Sequence, residues 1–202
     1  KEEAEELVSP GDVAAFDGGI ICLGKRKLEA KALDDRIGCA VMIDLIEREL
    51  PVDCFFAFTV QEEVGTRGAF GTAFRVKPDI ALVLETTTAA DLPSVPGVKK
   101  ICTPGKGVVI PFMDGGTIYD RGLYKMMTAA ADANKIPWQT KSMIAGGTDA
   151  RTIQTTGTGA RVLGLAAAVA NIHTPASTAD IEDIRGMAAL AGIFLEKIGE
   201  LD

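Results

Sequence analysis

Apolar and polar positions along this chain follow two patterns, which together predict an α/β fold. The runs 54–60 (Cys-Phe-Phe-Ala-Phe-Thr-Val) and 80–84 (Ile-Ala-Leu-Val-Leu) are almost wholly apolar, which is typical of strands buried on both faces. Residues 161–170 form a similar run. Segments 108–112 and 138–144 predict further, less regular strands.

The segments between these runs have the spacing of apolar residues that is typical of helices. Apolar residues recur every three or four positions between Asp35 and Leu50, and Pro51 ends the pattern. Segment 120–134 is rich in Ala, Met and Leu, and 180–198 predicts a closing amphipathic helix. Shorter helices are predicted at 1–12, 68–74 and 150–156. Strands that alternate with helices predict a three-layer α/β sandwich with a mostly parallel central sheet.

Composition narrows the class of protein. The 202 residues, 47% of them hydrophobic and 24% charged, are enough for one globular domain with a real core. A net charge of −7 argues against nucleic acid as a partner, because phosphate binding needs a basic face. The longest apolar stretch, 162–170, is shorter than the roughly 18 residues of a membrane span. The four cysteines form no Cys-x-x-Cys pair, which favours core thiols in a reducing cytoplasm.

Residues of the types that commonly bind metal ions lie where the predicted strands end or where a helix begins. They are Asp34, Glu62, Glu63, Glu85 and the only histidine, His173. In open α/β sheets, sites gather at the carboxyl ends of the strands. Zn²⁺ accepts this mixture of imidazole and carboxylate ligands. The sequence therefore predicts a divalent-metal site.

Each of these residues also has a purely structural interpretation. Asp34 suits the N-cap of the following helix, and the pair Glu62 and Glu63 suits a solvated acidic turn. A single acid such as Glu85, or a single partly exposed histidine such as His173, is common without any ligand. From spacing alone, both interpretations stay open.

The order of these strings along the chain resembles the co-catalytic metallo-aminopeptidases of the tetrahedral-assembly type. That family includes glutamyl and deblocking aminopeptidases, and some members carry the label endoglucanase. The strings that carry the resemblance are residues 31–38, 59–69, 78–91, 147–150 and 172–175. The resemblance covers nearly the whole chain, and the string 60–68 is highly specific.

The resemblance implies a role for each metal-binding candidate. Glu62 matches the general base, and Glu63 matches the metal ligand beside it. Asp34 matches an aspartate that bridges two metal ions, His173 matches a late histidine ligand, and Glu85 stands where the family usually has an aspartate. Two divalent ions, Zn²⁺ or Co²⁺, are implied, with a bridging water that attacks the peptide.

The resemblance also implies substrates and partners. Thr148 and Asp149 match a loop near the substrate, although the string 146–149 is otherwise typical of a tight turn with an N-cap. Peptides are the implied substrates, and the implied partners are further copies of the chain in a homo-oligomer such as a dodecamer. We expect no nucleic-acid or membrane partner.

The family has a second histidine ligand, which precedes an inserted β-domain, and this chain has no second histidine. We therefore expect residues 1–28 to be the remnant of an inserted β-barrel or dimerisation domain. We expect residues 29–202 to be a catalytic domain that lacks its N-terminal part. Such a chain would hold at most one tight metal ion and expose apolar surface where the absent strands would pack.

Two other functions are compatible with the sequence. One is an inert fragment or assembly subunit that binds one metal ion or none. The other is a glycan hydrolase, which the endoglucanase label suggests. The adjacent pair Glu62 and Glu63, backed by Asp34 and His173, suits metal-assisted hydrolysis better than two carboxylates on opposite sides of a sugar.

Overall fold

The computed structural model describes residues 2–200 and contains a seven-stranded mixed sheet. Its strands are β1 (Ile21–Leu23), β2 (Lys27–Ala30), β3 (Ile80–Thr88), β4 (Val108–Val109), β5 (Trp138–Gln139), β6 (Arg161–Ala170) and β7 (Ser177–Asp180). They lie in the order β1-β2-β7-β6-β4-β5, and β3 runs along β6. The strand β6 is therefore the centre of the sheet.

Helices cover both faces of the sheet, which confirms the predicted α/β class. The α-helices are α1 (Glu2–Leu7), which is exposed and lies outside this packing, α2 (Leu33–Ile46), α3 (Arg67–Val76), α4 (Arg121–Ala133), α5 (Ala150–Ile153) and α6 (Ile181–Gly199). Buried side chains of α2, α4 and α6 share the main apolar cluster with β6, whereas α5 packs in a smaller cluster with β3 and β6. None of the helices within 2–200 is long and apolar enough to cross a membrane.

The strand β6 was predicted correctly because its pattern follows from burial on both faces. Leu163 and Leu165 contribute to the main cluster, while Val162 and Ala166 contribute to the clusters on the opposite face. Since successive side chains of a strand point to opposite faces, both faces must be apolar. The predicted helices at 120–134 and 180–198 are likewise present as α4 and α6.

Parallel pairing is restricted to β3 with β6 and β4 with β5, so the sheet is mixed. The other strand pairs are antiparallel. For two of these pairs the reason is the length of the connection: residues 24–26 join β1 to β2, and residues 171–176 join β6 to β7. A parallel pair needs a crossover of about a dozen residues or more, which these connections are too short to provide.

The predicted buried strand at 54–60 is wrong. This segment contains no strand, and Phe55 and Phe58 are 80% and 48% exposed. A strand needs a hydrogen-bonding neighbour, and no strand of residues 2–200 pairs with it. Phe70 and Phe74, whose rings stack on α3, are likewise exposed.

Two strand boundaries also differ from the prediction. The strand β3 does not end at Leu84 but continues to Thr88, because β6 pairs with it over its whole length and β-branched threonines suit a strand. The predicted strand at 108–112 shrinks to two residues. Pro111 lies just beyond it and has no N–H to donate to a neighbouring strand.

The start of α2 is set by a close approach between helix and sheet. The carboxylate of Asp35 accepts a hydrogen bond of 2.8 Å from the N–H of Gly38, which is the contact that an N-cap makes. A Cβ on Gly38 would lie 2.6 Å from the carbonyl oxygen of Leu84 in β3. Only glycine lets the two backbones approach this closely, and this approach places Asp34 and Asp35 beside the end of β3.

We expect Gly38→Ala to destabilise the protein by about 1–3 kcal/mol, because an added methyl group must push α2 away from β3. Gly71→Ala is the matched control, since Gly71 lies in α3 and a Cβ added there would meet no atom within 4 Å. The control should be neutral or stabilise by up to about 1 kcal/mol, as alanine favours helix. Urea unfolding of both variants measures the difference, and equal free energies of unfolding would contradict the close-approach argument.

Candidate metal centre

The predicted metal ligands and Glu62 converge on one cleft of about 460 Å³ at the carboxyl ends of β3 and β6. Asp34 comes from the start of α2, Glu62 and Glu63 from the turn before α3, Glu85 from β3, and His173 from the loop after β6. Residues up to 139 positions apart in the chain thus line a common space. The convergence that the order of the strings predicts is present.

One group of ligand atoms contains the histidine. The Nε2 atom of His173 lies 3.0 Å from Oδ2 of Asp34 and 3.3 Å from Oε2 of Glu63. The ligand atoms of the three residues all lie within 4.8 Å of one another. One imidazole nitrogen and two carboxylate oxygens at this spacing fit a divalent transition-metal ion. His173 and Glu63 are 61% and 57% exposed, so the group opens to solvent.

A second group consists of carboxylates only. Asp34, Asp35 and Glu85 each offer an oxygen within 4.8 Å of the others. Asp34 belongs to both groups, which is the arrangement expected of a shared ligand. Asp35 had no predicted metal role, because a residue that precedes a helix is usually explained as a cap. It does cap Gly38, and it also offers an oxygen to this group.

The second group is strained electrostatically in the absence of a cation. Burial, followed by the charges of Asp35 and Asp34, raises the pKa of Glu85 to about 10. Burial is also the main cause that raises the pKa of Asp35 to about 7. Crowded carboxylates disfavour each other's charged form, and a bound cation reverses this. The arrangement is therefore suited to a positive ligand.

Glu62 lines the cleft but belongs to neither group of ligand atoms. Burial, followed by the charges of Asp149, Glu63 and Asp34, raises the pKa of Glu62 to about 7. A carboxyl group with a pKa near neutrality can both accept and return a proton. Glu62 thus differs chemically from its neighbour Glu63, although the two are adjacent in sequence.

The two residues predicted to bind substrate, Thr148 and Asp149, differ in their position relative to the cleft. Thr148 is buried and lines the cleft, with its hydroxyl 3.4 Å from that of Tyr119. The carboxylate of Asp149 accepts a 2.5 Å hydrogen bond from the hydroxyl of Thr59. Its other oxygen is buried without a hydrogen-bond partner among the described residues. Asp149 therefore acts on the cleft mainly through its charge, which helps to raise the pKa of Glu62.

Two cations on the cleft were not predicted. Lys141 lies just after β5, and Arg151 is in α5. The ammonium group of Lys141 donates a 2.9 Å hydrogen bond to the carbonyl oxygen of Ala145. The sequence placed Lys141 inside the predicted strand 138–144, and a lysine suggested no metal chemistry.

Comparison with known proteins finds related aminopeptidases by sequence and by structure. The family model described as M42 glutamyl aminopeptidase matches residues 1–190. The lysyl aminopeptidase of Pyrococcus furiosus is 30% identical over 206 residues, which cover 100% of this chain and 58% of the relative.

Two solved structures have the same fold. The aminopeptidase APDkam598 of the archaeon Desulfurococcus kamchatkensis has 33% identity and a TM-score of 0.92, over 98% of this chain and 57% of that one. The Pyrococcus horikoshii TET1 peptidase, which can assemble into a tetrahedron or a large octahedral shell, has 31% identity and a TM-score of 0.80, over 95% of this chain and 56% of that one. The chain thus spans a little over half the length of these relatives. Because the family model covers nearly the whole sequence, the chain belongs to the M42 family of aminopeptidases.

Proposed function

We propose that the complete protein is a metal-dependent aminopeptidase, which releases N-terminal residues from peptides. The observation that carries the proposal is one cleft in which a His173–Asp34–Glu63 group lies beside Glu62, a half-buried carboxyl group outside that group. The M42 family is a metallopeptidase family whose members need divalent metals, which supports the assignment.

The metal ligands follow from the two groups. Asp34, Glu63 and His173 would hold one divalent ion, and Asp34 with Glu85 would hold the other, with Zn²⁺ or Co²⁺ as the ions we propose. Asp35 adds a third carboxylate to the second position. When bound, the ions supply Lewis-acid polarisation of the scissile carbonyl and of water.

Glu62 would act as the general base. Its carboxylate takes a proton from the attacking water, which adds to the scissile carbonyl carbon. The same carboxyl group then returns the proton to the leaving amine as the peptide bond breaks, so the base is regenerated. A pKa near 7, caused mainly by burial, suits both steps.

Other residues of the cleft would orient the peptide. The surplus of carboxylates attracts the free α-ammonium group of a peptide, which accounts for action at the N-terminus. Thr148 lines the cleft and would hydrogen-bond the substrate. Asp149 would act beside it, where its negative charge keeps the pKa of Glu62 high.

The remaining proposals for the complete protein follow from its resemblance to the family. We propose a homo-oligomer, with a dodecamer as the implied size. The assembly of the related TET1 peptidase supports an oligomer. We also propose that residues 1–28 are the remnant of an inserted domain and that the protein is cytoplasmic. In the described structure, β1 and β2 join the sheet through β7.

One observation favours a second candidate function, an inert fragment or assembly subunit. The second group of ligand atoms has three carboxylates and no imidazole. Catalytic zinc sites normally have three protein ligands that include histidine. A chain with only this group at its second position would hold that ion weakly.

The metal content of the 202-residue chain distinguishes the two candidates. We expect at most one tightly held ion per chain and little hydrolysis of aminoacyl anilides, because the second position has carboxylates and no imidazole. Elemental analysis and an anilide assay on the same sample measure both. Two tight ions with robust turnover would show that a further ligand completes the second position and that the chain is not an inert fragment.

The shared role of Asp34 is tested by metal titration. We expect His173→Ala and Glu63→Ala to weaken one binding event, and Asp34→Ala to weaken two, because Asp34 belongs to both groups. Asp53→Ala is the control, as Asp53 is exposed and outside the cleft. Calorimetric titration of the complete protein with Zn²⁺ measures each event. A single, equal loss in all three variants argues against a shared ligand.

The role of Glu62 is tested by exchanging its carboxylate for an amide. We expect Glu62→Gln to lower kcat by about 10²–10⁴-fold or more, with metal content unchanged, because the variant keeps its shape and loses its base. Glu63→Gln is the matched variant, and it should lose metal. If Glu62→Gln loses metal together with activity, the roles of the two glutamates are reversed.

A further inference from the structure

The turn that carries Glu62 and Glu63 has an unfavourable backbone. Gln61, directly before the pair, and Thr66, three residues after it, have left-handed conformations with φ of 59° and 53°. Residues with a Cβ avoid this region, and β-branched residues such as threonine avoid it most. Strain of this kind persists only where the surrounding structure fixes it, so contacts outside the turn are needed to hold it in place.

The hydrogen bonds within the turn set its shape. The N–H of Thr66 donates to the carbonyl oxygen of Glu62 at 2.8 Å, and the N–H of Gly68 donates to that of Val60 at 2.9 Å. A Cβ on Gly68 would lie 2.6 Å from the backbone nitrogen of Val60, so the base of the turn is tightly closed. These contacts all lie within residues 60–68. They do not set the distance between the turn and the strands of the sheet.

Two threonine side chains, one on each side of the glutamates, connect the turn to the segment that contains α5. The hydroxyl of Thr59 donates a 2.5 Å hydrogen bond to the carboxylate of Asp149, and the hydroxyls of Thr66 and Thr152 lie 2.5 Å apart. Thr66 stands at the N-cap position of α3, yet its side chain caps no N–H group of that helix. The hydroxyl that usually caps a helix is directed to Thr152 instead.

The segment that receives these contacts is fixed to the sheet. Ala150, in α5, is fully buried in a small cluster with Val83 of β3 and Val162 of β6. Asp149 is buried beside it, and its carbonyl oxygen accepts a hydrogen bond from the N–H of Ile153. The strand β3 also carries Glu85. The threonine contacts therefore relate the turn to the same strand that holds a proposed metal ligand.

We propose that Thr59 and Thr66 are positioning residues, which hold Glu62 at its working distance from the metal centre through their contacts with Asp149 and Thr152. The inference rests on the proposed function, in which Glu62 is the general base. A general base acts only within hydrogen-bond distance of the proton that it takes, and a small displacement is costly in rate. Both contacts anchor a turn whose own backbone is strained.

Valine variants remove the hydroxyl groups and keep the β-branched shape. In the complete, metal-loaded protein, we expect Thr59→Val and Thr66→Val each to lower kcat by about tenfold or more with KM nearly unchanged, because a displacement of about 1 Å can cost about 10²-fold. Rates are compared per folded, metal-loaded chain and at each variant's own pH optimum, so that a changed charge on Asp149 does not contribute. Thr59→Ser and Thr66→Ser keep the hydroxyl and should restore most of kcat.

The matched control is Thr128→Val, because the hydroxyl of Thr128 donates only within α4, to the carbonyl oxygen of Lys125. It should leave kcat and KM unchanged. Losses confined to KM, or equal losses in the valine and serine variants, overturn the inference, since neither follows from a lost hydroxyl that positions the base.

A double variant separates this role from a general loss of stability. Thr66→Val and Thr152→Val remove the same hydrogen bond from its two ends, so the double variant should lose no more kcat than the worse of the two single variants. Independent effects would multiply instead. Multiplied losses therefore count against a contact that acts as a unit.

Hydrogen exchange keeps the inference separable from the proposed function. The amides of Gly65, Thr66 and Gly68 are bonded within the turn, and their exchange should become about tenfold faster in both single valine variants of the turn, as one net hydrogen bond is worth about that much. Faster exchange confined to the turn supports the anchoring even if the parent protein hydrolyses no peptide, in which case only the proposed function fails. Unchanged exchange with normal turnover in both variants removes the inference and leaves the peptidase in place.

Discussion

Repulsion among carboxylates at the end of β3 is the constraint on which the site depends. Asp34, Asp35 and Glu85 converge within 4.8 Å, and Glu62 lies near enough to raise the pKa values of Asp35 and Glu85. A fold that gathers like charges in a partly buried space loses stability unless a cation is bound or protons are retained. Burial and the charges of Asp35 and Asp34 raise the pKa of Glu85, which favours its protonated form. A bound cation would offset this electrostatic cost of the fold.

The sheet imposes this crowding because of its topology. Parallel pairing of β3 with β6 brings Glu85 level with Ala166, so the loop after β6 carries His173 over the same edge. The close approach at Gly38 brings the start of α2 to that edge as well. The carboxylates come from two segments that are remote in sequence. The pairing of β3 with β6 holds Glu85, and the close approach of α2 to β3 holds Asp34 and Asp35 near it.

The sequence predicts those strands and helices whose own residues show the pattern of burial. The strand β6 and the helices α4 and α6 carry their periodicity in their own residues, and they were found close to their true bounds. The segment 54–60 has the same apolar pattern as β6 but no strand neighbour among residues 2–200. Pairing is a property of two segments, so the composition of one segment cannot reveal it. At the site, meeting strand ends account for Glu85 in β3 and His173 after β6. Glu62 and Glu63 follow the segment 54–60, which is no strand, so only the resemblance predicted their place in the site. Lys141 escaped prediction because burial without an ion pair is visible only in three dimensions.

The cleft carries both signs of charge. Asp34, Asp35 and Glu85 form one group of ligand atoms, whereas Lys141 and Arg151 line the same cleft. Under the proposed function, the surplus of carboxylates would attract the α-ammonium group of a peptide and so fix its N-terminus relative to Glu62. Orientation of the reacting groups is itself a large part of catalysis, so the charge distribution that favours a metal ion would also position the substrate.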